Sequence, residues 1–176
     1  ADAIKVGIGP GSMCTTRIIT GCGVPQLTAV AMCAEVGIAH QVPIIADGGI
    51  RTSGDMIKAF AAGASSVMIG SMLSGTLETP GPVENGQKAY RGMASKAAQE
   101  SWRGEVPKGM AAEGESTKVS LKGSAKDMIF ELTGGIRSGM SYINAGDFSE
   151  IREKARFIEI TTAGVIESRP HGLAKN

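Results

Sequence analysis

Three short apolar segments, each followed directly by a glycine-rich turn, constrain the fold of this chain more than any other feature. The segments and their turns occupy residues 1–9, 42–49 and 66–71. Helical spacing of apolar residues predicts helices over 26–36 and over 53–62, the second with its first residue as N-cap. A strand, a loop and a helix that recur about every 20 to 40 residues are typical of parallel βα units, which predicts an α/β sheet or barrel. Ligands of such folds bind at the carboxyl ends of the strands, where all three turns lie.

The composition excludes several classes of protein. The 176 residues carry 18 Lys and Arg against 17 Asp and Glu, a balance that gives no electrostatic footprint for nucleic acid or an anionic membrane. No apolar run approaches the roughly 20 residues that span a bilayer. Three cysteines without a C-x-x-C spacing predict reduced thiols and a cytoplasmic protein. A peroxisome-like organelle is the alternative, although residues 174–176 miss a Ser-Lys-Leu-type signal.

The second half of the sequence changes character. Residues 76–122 are polar, rich in Gly, Lys and Glu, and without strong periodicity, which predicts one long loop that is functional or disordered. A capping-box pattern predicts a helix over 124–135 that ends at a Gly-Gly pair. A short helix over 149–155, a strand over 157–161 and an irregular tail from Glu167 complete the expected elements.

The turns after the second and third predicted strands have the composition of a phosphate site. They are Asp47-Gly48-Gly49 and Gly70-Ser71. Glycines without a Cβ let an anion approach backbone N–H groups, and Ser12 in the first loop adds a hydroxyl. Asp47 at a strand end is placed to accept hydrogen bonds from ribose hydroxyls. The alternative is that the glycines only form tight turns between strands and helices.

Cys14 is the candidate nucleophile. It lies in a Gly-Pro-Gly-Ser loop at the predicted ligand face, where loop amides and the nearby Arg17 would favour the reactive thiolate. The alternative is a buried loop thiol without reactivity. Cys33 lies in an apolar helical stretch and is predicted to be a core residue, whereas Cys22 receives no assignment.

Glu113 is the candidate acid-base group of the polar segment. A carboxylate on a mobile loop above a site can polarise a substrate amide or form a proton relay with Thr16. From spacing alone, a solvated surface acid is the competing interpretation.

Five segments taken together resemble the IMP dehydrogenase/GMP reductase family, namely residues 7–16, 44–51, 67–73, 90–93 and 134–142. The resemblance covers nearly the whole chain but only the second half of the family's (β/α)8 barrel. It implies that residues 1–176 are the C-terminal part of a catalytic TIM barrel, with a mobile flap at about 76–122 over its C-terminal face. The N-terminal half and any CBS domains would belong to a longer chain, which agrees with a sequence that opens inside a predicted strand.

The resemblance also implies a purine nucleotide site that binds GMP or IMP. Cys14 would attack the purine C2 carbon and form a covalent thioimidate, with Thr16 and Glu113 as the other catalytic residues. The residues implied for ribose, phosphate and base are Ser12, Asp47, Gly48, Gly49, Gly70, Ser71, Tyr90, Gly92, Met93 and Ala94. Those implied for NADPH are Met93, Met110, Ser138 and Gly139. A monovalent cation (K+) would be held by Gly9, Gly11, Cys14 and Arg17, completed by Glu167 and Ser168 of a neighbouring subunit.

The segment over the site separates the two activities of the family. In IMP dehydrogenases it is longer and contains an Arg-Tyr pair that activates water. Here Met93 and Glu113 are 20 positions apart, and no Arg-Tyr pair lies between them. The resemblance therefore favours NADPH-dependent reductive deamination of GMP to IMP and ammonia, with Thr16 and Glu113 as the relay that protonates the departing ammonia.

Two alternatives stay open. Residues 139–142 and the tail from Glu167 look more like IMP dehydrogenase, which oxidises IMP to XMP with NAD. An inactive nucleotide-binding or assembly protein is the second alternative. The assembly that the resemblance implies is a homotetramer, or an octamer if CBS domains are present, without nucleic-acid or membrane partners.

Overall fold

The computed structural model describes residues 1–170 and 172, and within them it contains five strands and seven helices. The expectation for residues 174–176 lies outside this described part. The strands are β1 (Ile4–Val6), β2 (Ile44–Asp47), β3 (Ser66–Met68), β4 (Gln87–Arg91) and β5 (Ser116–Ser120). The helices are α1 (Thr16–Thr20), α2 (Gln26–Ala39), α3 (Ser53–Ala61), α4 (Lys96–Arg103), α5 (Ala125–Tyr142), α6 (Phe148–Lys154) and α7 (Thr162–Glu167). None of these helices has the length and apolar character needed to cross a bilayer.

The first three strands form a parallel sheet in the order β1-β2-β3. Ile45 of β2 aligns with Lys5 of β1 on one side and with Ser66 of β3 on the other. Helix α2 connects β1 to β2, and α3 connects β2 to β3. The prediction of parallel βα units is confirmed, and the three glycine turns meet at one edge of the sheet because all three strands run in the same direction.

Two apolar clusters hold the helices against the sheet. One packs α2 on β1 and β2 through Val30 and Ala34, which are 1% and 0% exposed. The other joins α3, α5 and α6 and includes Phe60 and Leu132. Val67 of β3 packs against both clusters. The strand ends that carry the turns are therefore anchored by continuous apolar contact.

The prediction of a single loop over 76–122 is wrong. Strands β4 and β5 pair antiparallel with Gln87 opposite Ser120, and α4 lies between them in the sequence. Both strands are polar, and Lys88 is the one buried residue of β4. A two-stranded sheet with so few apolar positions has no alternating hydrophobic pattern, so periodicity could not reveal it. The mobility expected of this segment stays a prediction.

Helix α5 does not end at the Gly134-Gly135 pair, as predicted, but continues to Tyr142. Gly135 and Gly139 permit close packing on α3, since an added Cβ would overlap the Ser53 side chain at Gly135 and would lie only 2.8 Å from Ile57 Cγ1 at Gly139. A glycine inside a helix costs about 1 kcal/mol relative to alanine. Contact between α3 and α5 offsets this cost, which explains why the pair is not a helix terminator here.

Three smaller predictions need correction. The N-cap of α3 is Thr52, whose hydroxyl accepts a hydrogen bond from Asp55 N at 3.2 Å, and not the residue after it. Residues 157–161 form no strand, because they have no ladder partner in the described part of the chain. Glu167 is the last residue of α7 and not part of an irregular tail.

Candidate active site

The carboxyl ends of β1, β2 and β3 open into a cavity of about 490 Å3. This volume lies within the range of small-molecule sites. The cavity is bounded by the loop after β1, the turns after β2 and β3, the end of β4, and the segments on either side of α4. The predicted site residues that line it are Gly9, Gly11, Ser12, Cys14, Asp47, Gly48, Gly49, Gly70, Ser71, Tyr90, Gly92, Met93, Ala94 and Glu113.

Cys14, Thr16 and Glu113 form a continuous chain of hydrogen bonds at this cavity. The Cys14 thiol donates to Thr16 Oγ1 at 3.2 Å, and the Thr16 hydroxyl donates to Glu113 Oε2 at 2.7 Å. All three residues are partly buried. A hydroxyl that accepts from one neighbour and donates to the next can pass a proton between the sulfur and the carboxylate. Glu113 is therefore not a freely solvated surface acid.

Backbone pairing explains how Glu113, 97 positions from Thr16, reaches it. The segment after α4 runs between the cysteine loop and the segment before α4. Thr15 N donates to Glu113 O at 3.0 Å, and Glu113 N donates to Ala94 O at 3.0 Å. A Cβ on Gly114 would lie 2.9 Å from Ser95 N, so a glycine is required where the three backbones meet.

Arg17 supports the loop that carries the cysteine. Its Nε donates to Ile8 O at 3.3 Å and its Nη2 donates to Val24 O at 2.7 Å, so the guanidinium joins the two ends of the loop. A Cβ on Gly9, whose φ is 90°, would lie 2.5 Å from Arg17 Cγ. The glycine leaves the space that the arginine side chain fills.

Hydrogen-bond donors from three elements meet at one end of the cavity. Ser12 Oγ lies 3.2 Å from the Tyr90 hydroxyl, and a Cβ on Gly70 would lie 3.5 Å from that hydroxyl. A Cβ on Gly48, whose φ is 90°, would lie 3.0 Å from Gly11 N, so only glycine lets the turn after β2 approach the cysteine loop. Hydroxyls and unhindered amide groups around one point form a donor set that suits a phosphate.

Two residues at this edge of the sheet were missed in the sequence. Lys5 lines the cavity and forms an ion pair with Asp47. Gln26 donates from Nε2 to Val6 O at 2.9 Å and to Asp47 O at 3.2 Å, which joins the ends of β1 and β2. The sequence did contain a signal for Lys5, which is a charged residue between two apolar residues of a strand. Because neighbouring strand residues point to opposite faces, its side chain must lie on the other face of the sheet from theirs. The Lys5 side chain is 50% exposed and the Asp47 side chain 25%, so the ion pair adds little stability, but it orients the Asp47 carboxylate.

The residues implied for a nicotinamide cofactor are not brought together. Met93 lines the cavity and is 83% exposed, which suits contact with one flat ring at the mouth. Met110 is exposed and is not part of the lining. Ser138 is exposed on α5, and Gly139 packs against α3. Of this set, only Met93 has a position that fits the cofactor.

The residues implied for a monovalent cation divide into two groups. Those of the cysteine loop line the cavity, namely Gly9, Gly11 and Cys14. The Arg17 carbonyl already accepts a hydrogen bond from Gly21 N at 3.1 Å, and Glu167 and Ser168 lie at the end of α7. Residues 1–170 and 172 contain no cluster of three or more His, Cys, Asp and Glu side chains. A cation would therefore depend on backbone carbonyl oxygens, the donor type that K+ channels use, and this site stays a prediction.

The fold and the cavity define the class of protein. It is an α/β chain of the TIM-barrel type, with a cysteine loop and glycine turns at the carboxyl ends of its parallel strands. Residues 1–171 match the model of the IMP dehydrogenase / GMP reductase domain. The chain belongs to this family.

Curated relatives and a solved structure point to the two branches of the family. The chain is 50% identical over 184 residues to inosine-5'-monophosphate dehydrogenase from Streptococcus pyogenes and 51% identical over 185 residues to the enzyme of that name from Nitrosopumilus maritimus. Each match covers 98% of this chain and 37% or 39% of the relative. A crystal structure of a GMP reductase variant from Trypanosoma brucei in complex with guanosine 5'-monophosphate matches with a TM-score of 0.92 at 46% identity. That match covers 99% of this chain and 37% of the other, so the chain spans less than half the length of these relatives.

Proposed function

We propose that this chain carries the catalytic residues of a GMP reductase, which converts GMP to IMP and ammonia at the expense of NADPH. The observation that supports the proposal most is the hydrogen-bonded chain from Cys14 through Thr16 to Glu113. It links a nucleophile to a group that can hold and return one proton, and deamination needs both. The absence of an Arg-Tyr pair between Met93 and Glu113 supports the same branch, because water then has no dedicated base.

The first chemical step follows from the relay. The Cys14 proton passes through the Thr16 hydroxyl to Glu113, and the sulfur adds to the purine C2 carbon. Glu113 then returns the proton through the Thr16 hydroxyl to the C2 amino group, which leaves as ammonia. One carbon–sulfur bond forms, one carbon–nitrogen bond breaks, and the product is a thioimidate between Cys14 and the purine.

The second step returns the enzyme to its starting state. NADPH, when bound, would supply the hydride that C2 needs, and Cys14 would then leave C2 as the thiolate, so that the carbon–sulfur bond breaks and IMP is released. Met93 at the cavity mouth is the residue of this chain that would contact the flat nicotinamide ring. The Cys14 thiolate regains its proton from solvent, because the proton relayed to Glu113 in the first step has left with ammonia.

The remaining parts of the proposal concern binding. The 5'-phosphate is held by Ser12, Tyr90 and the turn at Gly70 and Ser71. The Asp47 carboxylate, oriented by Lys5, accepts hydrogen bonds from the ribose hydroxyls. We extend the proposal to a K+ site in the cysteine loop, a homotetramer and a cytoplasmic location, each of which the family resemblance implies.

IMP dehydrogenase is the second candidate function, and the names of the relatives at 50% and 51% identity favour it. The test uses the full protein that contains this chain. We expect NADPH oxidation that depends on GMP and releases one ammonia per turnover. NAD reduction that depends on IMP would show the second candidate to be correct.

Cys14→Ala separates catalysis from binding. The variant should lose turnover while it still binds GMP. Treatment with a 2-chloropurine nucleotide provides the matching probe, since a reactive Cys14 should displace chloride and gain the nucleotide mass. An unmodified Cys14 would indicate a silent nucleotide-binding protein.

A further inference from the structure

The turn after β3 is held by a lysine that the proposed reaction does not use. Lys122, two residues beyond the end of β5, donates from Nζ to Ser71 O at 3.0 Å and to Met72 O at 3.2 Å. Its own backbone N–H donates to Gly75 O at 2.7 Å. Lys122 therefore binds three carbonyl oxygens of residues 71–75.

The opposite side of the turn presents unused N–H groups. Gly70 O accepts hydrogen bonds from Leu73 N and Ser74 N, both at 3.0 Å, and this closes the turn. Among the described residues, no acceptor pairs with the N–H groups of Gly70, Ser71 or Met72. Gly70 and Ser71 line the cavity. The N–H groups of Gly70 and Ser71 are therefore free to bind an anion there.

One of these N–H groups, that of Met72, belongs to a peptide whose carbonyl oxygen accepts a hydrogen bond from Lys122. Ser71 O and Met72 N are the two ends of one peptide group, so an ammonium on the oxygen makes the N–H a stronger donor. Ser74 Oγ also donates to Ser71 O, at 2.6 Å, so two donors polarise this peptide.

The charge of Lys122 is also uncompensated. The side chain is partly buried, and none of the four ion pairs within the described part of the chain includes it. Lys118, four positions earlier in β5, is paired with Glu84 at 2.9 Å. An unpaired, partly desolvated ammonium attracts an anion more strongly than an exposed one does.

We propose that Lys122 is a positioning residue for the 5'-phosphate of the bound nucleotide. It fixes the turn after β3 through the Ser71 and Met72 carbonyls, polarises the peptide between Ser71 and Met72, and places an unpaired positive charge next to the turn. The inference rests on the proposed nucleotide site, but not on which of the two family reactions takes place there.

The test compares a nucleotide with the nucleoside that lacks its phosphate. The affinity of the full protein for IMP and for inosine is measured by titration calorimetry, for the unaltered protein and for Lys122→Met. We expect the variant to bind IMP about tenfold more weakly, which is about 1.4 kcal/mol. Inosine affinity should change by less than about twofold, because the lysine acts only through the phosphate. In turnover assays KM for the nucleotide should rise by about the same factor, with kcat changed by less than about threefold.

Two further variants make the result specific. Lys122→Arg keeps the charge and two donors, so it should recover most of the IMP affinity. Lys118→Met removes a lysine of β5 and should leave the affinities for IMP and inosine unchanged. If Lys122→Met does not fold, Lys122→Gln takes its place with the same expected split.

Three results would overturn the inference: unchanged IMP affinity in the Lys122 variant, equal weakening of IMP and inosine, or no preference for IMP over inosine in the unaltered protein. A protein that oxidises IMP but does not reduce GMP would refute the proposed function and leave the Lys122 result standing.

Discussion

Gly114→Ala tests whether the Glu113 carboxylate depends on the way its segment passes between two other backbones. A Cβ at this position would lie 2.9 Å from Ser95 N and 3.2 Å from Met13 O. Both are backbone atoms, so no side-chain rotation relieves the contact. Because unstrained contacts between heavy atoms lie at about 3.5–4.0 Å, the segment must move by roughly half an ångström or more.

The expected loss follows from the length of the relay bond. The Thr16 hydroxyl and Glu113 Oε2 are 2.7 Å apart, and a hydrogen bond between oxygens fades beyond about 3.0 Å. General acid-base groups contribute about 100- to 10,000-fold to rate, and a misplacement of about 1 Å costs about 100-fold. We therefore expect kcat to fall about 100-fold. KM for GMP should stay within about threefold, because the phosphate donors are carried by other elements.

The assay is NADPH oxidation that depends on GMP, together with ammonia release, in the full protein. Glu113→Gln is the comparison variant and should lose kcat to a similar extent, since an amide cannot hold the relayed proton. Gly134→Ala is the matched control, because a Cβ there meets no atom within 4 Å. Gly114→Ala with a nearly normal kcat, or with an equally large change in KM alone, would refute this explanation of how Glu113 is placed.

Three other predictions concern stability and binding. Lys88 is 4% exposed and donates to three carbonyl oxygens of residues 76–79, so Lys88→Met should lower the free energy of unfolding by about 2–4 kcal/mol in thermal denaturation. The first backbone N–H of α5 is the main cause that holds the pKa of Glu78 below its usual 4.5. The Glu78 carboxylate therefore stabilises the fold above pH 4.5, and this stabilisation is lost as the pH falls below that value. Glu78→Gln should lower Tm at neutral pH, and the difference in Tm from the unaltered protein should shrink in acid. Tyr90→Phe removes the hydroxyl beside Ser12 and should raise KM for GMP, measured by initial rates, about fivefold. The affinity for the nucleoside, measured by titration, should not change.

The parallel sheet could be predicted because its signals are local. Each of the three strands is a short apolar run that ends in glycine, and α2 and α3 between them have helical spacing. Those patterns depend on burial, which the nearest residues in sequence already encode. The antiparallel sheet of β4 and β5 could not be predicted in this way. Its pairing joins residues as distant as Gln87 and Ser120, and its buried position is a lysine.

The site was partly predictable for a related reason. Glycine turns, a cysteine loop and an Ala-Glu-Gly segment could be identified in the sequence, and the structure brings them to one cavity. Lys5, Gln26 and Lys122 were missed because lysine and glutamine usually indicate solvent-exposed positions. Each has its role through backbone carbonyls or a distant carboxylate, and such partners leave no pattern in the sequence around the residue.

The choice between the two family reactions depends on a few side chains over the adduct and not on overall similarity. The family resemblance implies that both reactions use the same sulfur and the same purine carbon, so that most of the cavity would be shared. A tenfold change in partition between hydride transfer and hydrolysis needs only about 1.4 kcal/mol, which one positioned base can supply. Identities of 50% to one branch and 46% to the other are therefore compatible with either reaction. What distinguishes this chain is local. The Glu113 carboxyl is linked to Cys14 through the Thr16 hydroxyl, and residues 94–112 contain no Arg-Tyr pair. In the reaction that we propose, this carboxyl holds the proton that the departing ammonia takes up.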